Sequence, residues 1–67
     1  MRLARLKQDV SIFVDYEPHI APKGTIVQVH DNPPSPYLYR CNIPGYSRVR
    51  HVAIRYLEFL DEINVDQ

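Results

Sequence analysis

The chain has 67 residues, room for one small core whose surface stays largely in water. Eight basic residues balance eight acidic ones, which excludes the net field that draws proteins generically to nucleic acid or anionic lipid. The single cysteine, Cys41, cannot close an internal disulfide, and without a secretory signal it points to a reducing, cytoplasmic setting.

The opening "MRLARLKQDV" carries charge but no apolar run of signal length, and no stretch of about 20 apolar residues follows, so no membrane span is expected. Charge is unevenly spread. Arg2, Arg5 and Lys7 open the chain, Arg40, Arg48, Arg50 and Arg55 cluster in its second half, and Glu58, Asp61, Glu62 and Asp66 close it. Two readings follow: a basic face, or solvated side chains of which some pair weakly with the acidic end.

From Val10 the pattern alternates, with Val10, Ile12, Val14 and Tyr16 on one side and Ser11, Phe13 and Asp15 on the other, as in a strand with one buried face. "EPHIAPKG" then reads as a loop, because Pro18 and Pro22 lack backbone donors and Lys23-Gly24 suits a turn. "TIVQVH" is a second strand, Val27 and Val29 facing one way and Ile26 the other. "DNPPSP" must be a connection, since Pro33, Pro34 and Pro36 cannot donate to a ladder and push the residues before them toward extended conformations.

"YLYRCNI" is a third alternating segment, with Tyr37, Tyr39, Cys41 and Ile43 on one face and Leu38, Arg40 and Asn42 on the other, which makes Cys41 a small core residue. The Pro-Gly of "PGYS" suits the centre of a type II turn, so "RVRHVAI" returns as the antiparallel fourth strand. In "RYLEFLDEINVDQ", Ile54, Leu57, Leu60 and Ile63 recur every three residues and could line a helix. The preferred reading is a tight turn at Ile54 to Leu57 and a short strand from Glu58 to Leu60, because the segment follows a β-branched strand without a capping residue. Asn64 to Gln67 are expected to fray.

This order of elements resembles an SH3-like β-barrel over about residues 8 to 62, in one domain spanning 1–67. Its most recognisable parts are "KGTIVQV" and "VAIRYLEFLDE", similar to segments of small bacterial SH3-like and KOW-type domains. The resemblance implies an all-β fold, a small five-stranded barrel with a one-turn helix before the last strand. It also implies a ligand surface between the first and second long loops, lined here by Tyr16, His19, Tyr37 and Tyr56, with the proline loop as a rigid wall presenting Tyr37. Barrels that bind proline-rich peptides carry a tryptophan and an acidic first loop. This chain has no tryptophan and only Asp15 and Glu17 there, so a different protein partner is expected.

His19, His30, His51 and Cys41 match no metal-ligand spacing, and Gly24 and Gly45 have turn roles rather than a phosphate cradle, so neither metal nor cofactor is expected. Cys41 and His51 could be drawn as nucleophile and base across the hairpin, but no third orienting group accompanies them, and no enzyme is expected. The function expected is a non-catalytic protein-interaction module, an adaptor or small accessory subunit, with self-association through a strand edge a further expectation. The alternative is a nucleic-acid-binding barrel using Arg40, Arg48 and Arg50 with exposed tyrosines.

Overall fold

Alternation between a buried and an outward side chain runs through the strands of this chain, and it places them. The computed structural model describes residues 1–62. Its strands are β1 (Arg2–Leu6), β2 (Val10–Val14), β3 (Glu17–Ala21), β4 (Ile26–Val29), β5 (Leu38–Asn42), β6 (Arg50–Ala53) and β7 (Leu57–Phe59). One-turn 3-10 helices lie at Ile54–Tyr56 and Leu60–Glu62.

Five strands form one antiparallel sheet in the order β6-β5-β4-β1-β7, curled into a half-barrel, while β2 and β3 pair only with each other. The fold is all-β and SH3-like, with the one-turn helix directly before the last strand, as the sequence led us to expect. The long excursion still ends at Lys23-Gly24, where Gly24 at φ 93 completes a turn closed by the Thr25 amide donating to the Pro22 carbonyl (3.1 Å). The Pro44-Gly45 turn also forms: Gly45 lies at φ 90 and the Tyr46 amide donates to the Ile43 carbonyl (3.0 Å).

The barrel's first strand is not the segment at Val10, however; it is Arg2–Leu6, between β4 and β7. Ala4 and Leu6 are completely buried. Ala4 stands opposite Val27 on one side and Phe59 on the other, so a small side chain fits between two larger neighbours. Alanine is a weak strand former and arginines flank it, so local preference conceals a strand that only cross-strand partners make.

"EPHIAPKG", expected as a loop, is instead largely a strand. Its first five residues are β3, in register with β2 from Val14↔Glu17 to Val10↔Ala21. Hydrogen-bonded and non-bonded pairs alternate along an antiparallel ladder. With Val14↔Glu17 closing a two-residue turn as a bonded pair, Phe13↔Pro18 is a non-bonded one, where an absent N–H leaves no ladder bond unmade. Val10, Ile12 and Val14 face inward as read from the alternation, but Tyr16 leaves that face at the turn.

The core gathers side chains from all seven strands, among them Leu6, Ile12, Val27, Cys41, Val52 and Leu57. Each large aliphatic side chain so buried contributes about 1.5–3 kcal/mol relative to exposure. Across β1 the acidic end of the chain meets the basic beginning: Arg2 donates to both Asp61 carboxylate oxygens (3.1 and 3.0 Å) and Arg5 to Glu58 (3.0 Å). The Arg2 hydrogen bonds hold the Asp61 carboxyl below its usual range. These arginines therefore follow the pairing reading rather than the basic-face reading.

The final strand lies at Leu57–Phe59, one residue earlier than expected, and a helix through Ile54, Leu57 and Leu60 does not form. Pairing with β1 decides this, since Leu6↔Leu57 buries both side chains in one layer. The expected fraying at Asn64 to Gln67 lies outside the described residues. No helix among the described residues is long and apolar enough to cross a membrane.

Candidate functional site

The register of β2 and β3 leaves only Asp15 and Tyr16 between Val14 and Glu17. Both have positive φ, 51° and 68°, as a type I′ turn requires to match the twist of its strands. Asparagine and glycine take that conformation readily, but a tyrosine there costs about 1–2 kcal/mol. Tyr16 is also 99% exposed, so no burial within the chain offsets that cost.

Period-two alternation sorts the rest of the hairpin. Ile12 and His19 face inward, and the His19 ring meets Tyr46 edge-on with centroids 6.0 Å apart. The opposite face carries Phe13 beside Pro18 and Ser11 beside Ile20. Phe13 is 64% exposed and Ile20 55%, so one face of the hairpin is packed and the other presents apolar surface to water.

The four aromatic positions expected to share one surface are divided. Tyr16 lines a depression with Phe13, Asp15 and Arg48, which contains neither Tyr37 nor Tyr56. Tyr37, after the proline loop, lines a separate depression with Ile54 and Arg55, and its amide donates to Ser35 Oγ (3.2 Å). Tyr56 is half-buried against the core, and its hydroxyl accepts from Arg55 (3.3 Å). The cause is topological: the hairpin enters β4 at Ile26 and the proline loop leaves it after Val29, at the strand's other end.

The three arginines are divided as well. Arg40 pairs with His51 and the next pair is Cys41↔Arg50, so Arg40 and Arg50 occupy opposite faces of the sheet. Arg40 donates to the Asn32 carbonyl (2.5 Å) and so tethers the proline loop. Arg50 instead shares the inner face with buried Cys41, and its Nε is buried with no acceptor among the described residues. A buried donor left unpaired costs about 1–3 kcal/mol. Arg48 and Arg50 line one cavity of about 450 Å³ with Phe13, Asp15 and Tyr46.

The same alternation separates Cys41 from His51, which is exposed on the outer face. Burial pushes the Cys41 thiol up to about 11, so near neutral pH it stays protonated and poorly nucleophilic. His30 is engaged with Asn42, its Nε2 lying 2.6 Å from Oδ1. Among the described residues no three His, Cys, Asp or Glu side chains are grouped as a metal ion would need.

Neither Phe13, which the alternation places opposite the buried face, nor Ile20 is among the site residues expected from the sequence. Phe13 left a signal, a large apolar side chain on the otherwise polar side of an alternating segment, whereas Ile20 was hidden by the loop assignment. Compared with protein-family models, curated proteins and solved structures, the chain finds no significant match to any of the three.

Proposed function

We propose that this chain is a non-catalytic protein-interaction module, an adaptor or small accessory subunit working in the cytoplasm. The observation that carries the reading is the β2–β3 hairpin, whose outward face holds Phe13 and Ile20 in water and whose tip holds Tyr16 fully exposed in a left-handed conformation. Strain and exposed apolar area together at one tip serve no purpose in the isolated fold; a partner that covers the tip gives both a use. His19 supports the hairpin from beneath through Tyr46, while Tyr37 lines a separate depression and Tyr56 packs half-buried against the core, so neither belongs to the hairpin surface. The single buried thiol is compatible with a reducing compartment.

The alternative is nucleic-acid binding, supported by Arg48 lying beside Tyr16, a cation next to a stacking face. The test is capture of partners on the tagged full chain from a nuclease-treated lysate of its source cell, with elution in rising salt. Retention of one stoichiometric protein through high salt, lost with Tyr16→Gly and with Ile20→Thr, is the expected result. Capture that empties after nuclease treatment or at modest salt would turn the assignment to nucleic acid.

A further inference from the structure

Four arginines have their guanidinium groups engaged: Arg2 with Asp61, Arg5 with Glu58, Arg40 with the Asn32 carbonyl and Arg55 with the Tyr56 hydroxyl. Among the described residues Arg48 and Arg50 have no such acceptor, and both open into the cavity between the hairpin tip and the connection after β5. The Arg50 Nε has given up water without gaining a partner, so Arg50 lines the cavity with no acceptor among the described residues to balance its charge, and an anion held in the cavity supplies that balance. Tyr46 and the β2–β3 turn wall the space, and the neighbouring depression that shares Phe13, Asp15 and Arg48 adds the Tyr16 ring beside it.

We propose that this cavity receives the carboxylate of an acidic residue in a partner protein, with an adjoining apolar side chain of that partner against Phe13 and Tyr16. The inference rests on the protein-interaction reading and deepens it. A carboxylate matches the planar fork of a guanidinium and carries a single charge. A phosphate monoester carries more charge toward Asp15, which lines the same cavity, and the chain's balanced charge provides no wider field to offset that repulsion, whereas the singly charged phosphodiester of nucleic acid is told apart by the oligonucleotide arm of the test. Asp15 thereby sets selectivity: it opposes a second negative charge and tolerates one held by two arginines.

A random heptapeptide display library selected on the immobilised full chain tests this. The enriched peptides are remade by synthesis beside versions whose Asp and Glu are replaced by Asn and Gln. We expect enriched peptides to share an acidic residue next to an aromatic or branched apolar one, and the amide versions to bind about tenfold more weakly. Arg48→Gln, at an exposed position, is expected to cause the same loss without changing the melting temperature. Arg50→Lys keeps the charge, removes the fork and weakens binding as well, and Asp15→Asn tightens it. In the parent, the Arg50 Nε–H resonance shifts on saturation with the acidic peptide and stays in place with its amide version. Enriched peptides without acidic residues, or equal affinity for the Arg48→Gln chain, overturn the carboxylate site and leave the protein-interaction reading standing. A selection that yields no enriched peptide overturns both, and a single-stranded thymidine oligonucleotide that binds the parent but not Arg48→Gln then assigns the cavity to phosphates.

Discussion

Tyr16 sets local stability against use. Replacing it with glycine removes the left-handed penalty of about 1–2 kcal/mol but adds backbone entropy to the unfolded chain, so Tyr16→Gly is expected to stabilise the fold by roughly 0.5–1 kcal/mol. The same variant loses the captured partner, and chemical denaturation beside the capture assay reads both effects. A variant destabilised instead would mean that Tyr16 packs against the domain. Cys41 makes the opposite kind of prediction. Its folded value of about 11 lies above the unfolded value near 9, so its contribution to stability is complete below about pH 9 and is lost as pH rises toward 11, up to about 2–3 kcal/mol. Melting curves of the parent and of Cys41→Val are expected to diverge across that window, and thiol-reactive dye at neutral pH to label the folded parent far more slowly than the denatured chain.

At the scale of elements, the strand that local sequence recommends least has the most central place. β1 bonds to β4 on one side and β7 on the other, so Leu6→Ala removes a wholly buried side chain and is expected to cost about 2–5 kcal/mol, measured by urea unfolding. Deleting residues 1–6 would leave β4 and β7 without their shared neighbour, and far-UV circular dichroism is expected to show an unfolded chain. Val10–Val14 advertises itself by alternation yet lies in the excursion rather than in the main sheet. Pattern identified it as a strand with one buried face, which it is; pairing partners, several residues distant or more, determined which sheet it joined.

For the whole molecule, charge balance limits what the arginines can do. Arg2 and Arg5 are committed to Asp61 and Glu58, Arg40 to the proline loop and Arg55 to the Tyr56 hydroxyl, which leaves Arg48 and Arg50 among the arginines for an external anion. Binding of a single-stranded oligonucleotide through those two is expected to show a logarithmic salt slope no steeper than about −1.4, measured by fluorescence polarisation from low to moderate salt. A much steeper slope would reveal a basic surface assembled from other residues. The sequence by itself determined the alternating strands of the all-β class, both glycine turns, the proline connection and the burial of Cys41, because each follows from alternation or from φ limits acting within a few residues, while the one-turn helix before the last strand is implied by the resemblance to SH3-like barrels. Only the tertiary structure decided that Arg2–Leu6 is a central strand, that Pro18 lies within a hairpin, that Tyr16 and Tyr37 line separate depressions and that Arg40 turns away from Arg50. Those outcomes depend on register between segments remote in sequence, and a one-residue difference in register moves a side chain to the opposite face of a sheet.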